Sequence, residues 1–203
     1  MKNKSALIIT SAQHDLLHPQ GGAWPLVEST VKPRAVVEHL SRLLAAARRE
    51  RIPVFHSPVV IDYGNPSLQA MEPPSAIHRL ILKNKLLGKG TLGAQFLTEL
   101  SPLAGEGILP GRTGFSSFWN SDLDEQLRAK GIRQVFLAGM LAHACIESHA
   151  RDAVEKGYQP VIARDAIGAA GDALLEASLK ILELHAHEIT DTATITQRWA
   201  TCN

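Results

Sequence analysis

Cys145 stands in the segment Gly139-Met140-Leu141-Ala142-His143-Ala144-Cys145-Ile146, directly after the apolar run Gln134-Val135-Phe136-Leu137-Ala138 and before a stretch with helical character. That order places the thiol at a strand-to-helix turn. A helix N-terminus carries partial positive charge and unpaired N–H groups, which favour thiolate over thiol and can hold a developing oxyanion. The chemistry on offer is nucleophilic attack on a carbonyl. A free cysteine also packs as a small hydrophobe, so Cys145 could equally be structural until its neighbours are placed.

Other groups near it in sequence could handle protons. His14, Asp15, His143 and Glu147 are candidates of this kind, each suited at least as well to a structural role. Glu147 and His149, one turn into the helix, read as solvated or packed, since an acid in a first turn is already favourable with the helix dipole. The nine histidines are scattered without ligand spacing, so neither a metal nor another cofactor is expected. Trp24, Phe118 and Trp119 are expected to line an apolar substrate pocket, with core packing an equal alternative for Phe118.

The elements that must position these groups alternate along the chain. Strand-like runs are Ala6 to Thr10, Pro53 to Ser57, Gly107 to Leu109, Gln134 to Ala138, Pro160 to Ala163 and a short one around His187 to Thr190. Helix-like stretches lie between them. Val36, Val37, Leu40, Leu43, Leu44 and Ala47 fall on one helical face opposite Arg42, Arg48 and Arg49, and a second stripe runs from Leu174 to Leu184 behind Gly171-Asp172. The pattern predicts an α/β fold of three layers, α/β/α, around a six-stranded, mainly parallel sheet with strands buried on both faces. Asp62 to about Gly90, with Pro66, Pro73 and Pro74, has weak periodicity and is expected to be a long loop near the site or a subunit contact. Ligands of such sheets bind beyond the carboxyl ends of the strands. Ser11 to Asp15, Arg112 to Phe118 and Met140 to Cys145 should therefore meet.

Length and charge narrow the partners. The 203 residues, 45% of them hydrophobic, suit a single domain over 1–203. With 21 basic and 20 acidic side chains, the formal net charge of +1 gives no electrostatic reason to expect nucleic acid or an anionic membrane surface. A small-molecule substrate, or another copy of the chain, is the expected partner. Cys145 and Cys202 do not form a disulfide framework, and the hydrophobic stretch after Met1-Lys2-Asn3-Lys4 is too short for a signal sequence or a membrane span. A cytoplasmic protein is expected.

Several landmarks occur in a particular order: Ala6 to Asp15, Ser116-Ser117-Phe118 followed by Ser121-Asp122-Leu123, Gly139 to Ile146, Asp152-Ala153 with Gly157-Tyr158, and Asp165-Ala166. In this the chain resembles the isochorismatase-like cysteine hydrolase superfamily. The resemblance implies a nucleophile at Cys145, an oxyanion hole of backbone N–H groups around Leu141, Ala142 and Cys145, a cis peptide at Met140-Leu141, and a homodimer or higher homo-oligomer. The family's catalytic Asp falls on Ser11 and its Lys on Arg112, so two positions of the triad depart from the pattern. Nicotinamidase-type relatives hold a metal with Asp and His after the second strand, where this chain offers His56 and Asp62 without paired histidines.

The two departures change the chemistry. A carboxylate can take a thiol proton and return it to a leaving amine; a serine hydroxyl has no useful basicity near neutral pH. Arg112 keeps a cation that can support a thiolate, but its planar fork does not titrate in the useful range and prefers carboxylate-like partners. The resulting expectation is a variant cysteine hydrolase acting on a C–N bond of a small, possibly anionic substrate through a Cys145 thioester. Two alternatives are a non-hydrolytic or vinyl ether-cleaving enzyme on the same scaffold, and a degenerate binding protein in which Cys145 persists for packing.

Overall fold

In the computed structural model, residues 4–65 and 74–201 are described. Pro66, Pro73 and Cys202, which entered the expectations above, lie outside them. The sheet has six strands, β1 (Ser5–Thr10), β2 (Val54–Ser57), β3 (Gly107–Ile108), β4 (Gln134–Met140), β5 (Gln159–Gly168) and β6 (Glu188–Thr190). Their order is β3-β2-β1-β4-β5-β6 and every pairing between them is parallel. The chain therefore enters at the centre, runs outward to β3, and returns to lay β4 on the other side of β1.

Helices cover both faces: α1 (His14–Leu17), α2 (Trp24–Val31), α3 (Val36–Arg49), α4 (Ala76–Asn84), α5 (Leu123–Ala129), α6 (Glu147–Glu155), α7 (Asp172–His185) and α8 (Thr192–Thr201). Strand side chains alternate between two apolar cores. Leu7 and Ile9 of β1 and Phe136 and Ala138 of β4 pack with α2, α3 and α8, whereas Ile8, Val135 and Leu137 pack with α5, α6 and α7. That alternation is why the strands read as unbroken apolar runs: both faces of the sheet are dry. Trp199 of α8 is buried and meets Phe136 edge-on, with ring centroids 5.0 Å apart, a geometry worth about 0.5–1.5 kcal/mol beyond the area buried.

Two differences from the sequence-based expectation bear on the site. The stretch expected to be a long loop carries α4, whose Ser75 N-cap accepts from the His78 N–H. Its apolar residues Ile77, Leu80 and Ile81 are spaced for one helical face yet none is fully buried. Strand β5 continues five residues past Ala163, across Arg164 and Asp165, with a register shift against β4 between Leu137 and Gly139. The polar pair that seemed to end the strand is accommodated because Asp165 faces α8 and accepts from the Thr192 backbone and hydroxyl.

Gly139, at the end of β4, has φ +113°, and a Cβ there would collide with the Thr10 backbone carbonyl. Only glycine lets β4 lie this close to β1 just before the Cys145 turn. Gly139→Ala is expected to cost about 2–4 kcal/mol, from a disfavoured backbone conformation plus overpacking. Urea unfolding of the variant against wild type measures it.

Candidate active site

β1 and β4 are parallel neighbours from which the chain proceeds to opposite edges of the sheet, so a crevice opens beyond their carboxyl ends. Ser11 leaves β1 at that point and Cys145 follows β4. Beyond β4 the Met140–Leu141 peptide is cis, as the family resemblance implies, and the Thr10 hydroxyl donates to the Met140 carbonyl at 2.9 Å. Residues Ala142–Ile146 then form one wide turn with five-residue hydrogen-bond spacing, in which the Ile146 N–H reaches the Leu141 carbonyl at 3.1 Å, before α6 begins. The expected strand-to-helix turn is present, with Cys145 inside its first, widened coil.

Ser11, Arg112 and Cys145 converge. The Ser11 hydroxyl is 3.6 Å from the Cys145 sulfur and accepts from Arg112 Nη2 at 3.3 Å. Arg112 Nη1 donates to the Ser57 carbonyl at 3.1 Å, and the same carbonyl accepts the Ser11 N–H at 2.9 Å. Backbone hydrogen bonds from Arg112 N–H to Pro58 and from Val60 N–H to the Arg112 carbonyl fix the arginine alongside the segment that follows β2. All three side chains are buried. Burial pushes the Arg112 pKa below its ordinary value, and charge and hydrogen-bond interaction with the Cys145 sulfur opposes that push. Among the described residues no carboxylate forms an ion pair with Arg112, and its Nε has no hydrogen-bond partner.

A cavity of about 290 Å³ opens onto Ser11 and Cys145. Leu26 and Val27 of α2, Ile77, Leu80 and Ile81 of α4, and Phe115 make most of its wall, with Leu141, His143 and Ala144 beside the cysteine. Trp24 and Trp119 lie elsewhere than the expected lining, and Phe118 takes the core position that was its equal alternative. Trp119 is 67% exposed, Phe118 is buried in the second core and stacked on Tyr158, and Trp24 packs half-buried against the first core; none borders the cavity. The aromatic that does border it is Phe115. Of the residues expected around the oxyanion hole, Leu141 and Cys145 border the cavity, while Ala142 is wholly buried in the second core. Arg112 lies against Ser11 and Cys145 but is not in the wall, and among the described residues that line the cavity there is no Lys or Arg.

The proton-handling candidates separate. Asp15 is held by structure: its carboxylate accepts from the Gly22 and Leu87 N–H groups. His14 stacks on His18, and Glu147 pairs with Arg151 within α6. His143 borders the cavity with its Nδ1 buried and, among the described residues, unpartnered; burial lowers its pKa against the opposing pull of Glu147. His56 is committed to Glu106 at 2.8 Å and Asp62 to Lys89 at 2.9 Å. No three His, Cys, Asp or Glu side chains gather for a metal among the described residues.

His149, expected to be solvated or packed, is buried and holds the site's elements together. It accepts the Ser117 N–H at Nε2, 3.1 Å, so Nδ1 carries the proton and donates to the Cys145 carbonyl at 2.7 Å. The Ser57 hydroxyl lies 3.3 Å from the same Nε2 and 2.6 Å from that of Ser117. One neutral imidazole thus ties the Cys145 turn, the end of β2 and the loop carrying Arg112. The signal was its position four residues after Cys145, on the same helical face.

Comparison with known proteins places these features. The isochorismatase domain matches residues 5–194. The chain is 34% identical over 178 residues to ureidoacrylate amidohydrolase RutB of Cronobacter turicensis, covering 83% of this chain and 76% of that one. It is 32% identical over 168 residues to the protein of the same description from Methylorubrum extorquens, covering 78% and 67% respectively. A cysteine hydrolase from Pseudomonas syringae pv. phaseolicola shares the fold with a TM-score of 0.82 over 98% of this chain and 94% of that one, at 22% identity.

The buried His149 also sets a pH dependence. Burial and the nearby Arg112 push its pKa from 6.5 to about 3, so the folded protein keeps it neutral while the unfolded chain protonates it below pH 6.5. The unfolded state then binds more protons, and stability falls as pH drops from 6.5 towards 3. His149→Gln, which retains one donor and one acceptor, should unfold with a shallower acid dependence over that window when followed by urea denaturation at stepped pH.

Proposed function

Because the chain belongs to the isochorismatase family, we propose that it is a cysteine hydrolase cleaving the C–N bond of a small amide through a thioester on Cys145. The observation that carries this reading is the approach of a serine hydroxyl and a buried guanidinium to one cysteine sulfur at the end of an apolar cavity. Arg112 is the counter-ion of a thiolate. Ser11, between the two, orients both and can pass a proton without storing one.

The thiolate attacks the amide carbonyl carbon, forming the C–S bond and an oxyanion held by backbone N–H groups of the Leu141 to Cys145 turn. As the C–N bond breaks, water relayed through the Ser11 hydroxyl gives its proton to the leaving nitrogen. The hydroxide so formed attacks the thioester carbonyl, releasing the carboxylic acid and returning the sulfur as thiolate. Without a carboxylate in this relay, amine departure is the hard step. The amidohydrolase description of the relatives above supports the C–N assignment.

The same reading treats 1–203 as one hydrolase domain, located in the cytoplasm, where a free thiol such as Cys145 stays reduced. Among the described residues no helix is long and apolar enough to cross a membrane. A homodimer or higher homo-oligomer is supported by the exposed stripe Leu174, Ile181 and Leu184 on α7.

Two measurements test the roles. Iodoacetamide should alkylate Cys145 about tenfold more slowly at pH 7 in Arg112→Ala, where the cation is gone, with Arg112→Lys restoring most of the rate. Equal rates in all three proteins would remove Arg112 from the mechanism. Ser11→Asp should raise kcat on amides by roughly 100-fold or more, since it restores a group that can hold a proton. Ser11 has φ +48°, a conformation that aspartate tolerates better than most side chains, so the variant is expected to fold. No gain in kcat would show that the missing carboxylate is not what limits the reaction.

A further inference from the structure

Resting on that reading, we infer that the substrate is an amide whose acyl group is uncharged and apolar, of about six to ten carbons, seated between α2, α4 and Phe115 with its carbonyl at Cys145. The size follows from the volume. A dry apolar cavity of about 150 Å³ accepts one benzene ring, and this one is about 290 Å³.

The polarity follows from the wall. Leu26, Val27, Ile77, Leu80, Ile81 and Phe115 offer no charge, and His143, the one titratable residue besides Cys145 among the described residues of the wall, is kept neutral by burial. Both terminal nitrogens of Arg112 are engaged, by the Ser57 carbonyl and the Ser11 hydroxyl, and the guanidinium is not in the wall. Residues 66–73 contain neither Lys nor Arg. A carboxylate buried in this cavity would thus lose its hydration without gaining a counter-charge.

α4 gives the strongest indication. Its apolar residues at i, i+3 and i+4 pack only partly against the core, with none fully buried, and all three border the cavity. A helix that keeps an apolar stripe partly open towards a nucleophile is a substrate wall.

The test compares hexanamide and benzamide with the anionic succinamate, in two readouts. On Cys145→Ala, isothermal calorimetry should show hexanamide binding at least about tenfold more tightly than succinamate. On wild type, kcat/KM should favour hexanamide and benzamide over succinamate by at least the same factor. Leu80→Lys, at a half-buried position on a helix without buried residues, should reduce that preference about tenfold by offering succinamate a cation. Equal or tighter binding of succinamate, or its faster turnover, overturns the inference and leaves the C–N hydrolase reading standing. Preferential hexanamide binding with no turnover of any amide upholds the apolar site and overturns the hydrolase reading instead.

Discussion

A guanidinium that is 7% exposed, with no carboxylate in ion-pair contact among the described residues, constrains everything built around it. Taking a charge out of water costs several kcal/mol unless paired charges and hydrogen bonds replace the hydration. For Arg112 the replacements come from three separate elements: the carbonyl at the end of β2, the hydroxyl just past β1, and the sulfur just past β4. None is adjacent to it in sequence. The parallel order β2-β1-β4 brings their carboxyl ends together, so the sheet topology is what makes the buried cation tolerable.

The scaffold is held to that arrangement by uncharged contacts. Gln13 is wholly buried, donates to the carbonyls of Val59 and Ala94, and accepts the Val59 N–H, which locks the segment after β1 to the one after β2. His149 does the same between the Cys145 turn and the Ser117 loop. Each is a neutral group with its hydrogen-bonding sites filled by backbone or hydroxyl partners, the form in which buried polarity rigidifies a structure at least cost. With these clamps in place, the charged group held in the crevice among the described residues is the Arg112 guanidinium, set beside the Ser11 hydroxyl and the Cys145 sulfur.

Much of the fold was legible because its physics is local. Strands buried on both faces must be apolar throughout, which is why β1, β2 and β4 stood out, and the face of α3 was plain from its 3.6-residue period. β5 runs past its expected end at Ala163 because Asp165 is held by Thr192 of α8, a contact that sequence spacing does not reveal. α4 was missed for a different reason. Its stripe of Ile77, Leu80 and Ile81 is brief, shares the helix with His78, Arg79 and Lys83, and divides itself between the core and a cavity. The convergence of Ser11, Arg112 and Cys145 was legible through the order of the landmarks along the chain. The pocket was not, since an aromatic near the right strand end can as well face solvent, as Trp119 does, or fill the core, the alternative open for Phe118.

On the proposed assignment, serine and arginine at two triad positions form a coherent pair once charge is counted. With an aspartate, a lysine and a neutral thiol, the family pattern sums to zero in a buried crevice. With serine and arginine, the proposed mechanism reaches zero only by placing the negative charge on sulfur. Serine alone beside the family's lysine would keep a cation that can shed its proton when buried, and so escape the need for a partner. Arginine cannot escape in that way, because it holds its proton throughout the useful pH range. The two substitutions therefore reinforce each other: removing the carboxylate leaves sulfur as the available anion, and arginine makes the cation permanent. What such a site gains in a standing nucleophile it loses in proton transfer, and an apolar cavity that excludes competing anions from the guanidinium is the surrounding that this balance requires.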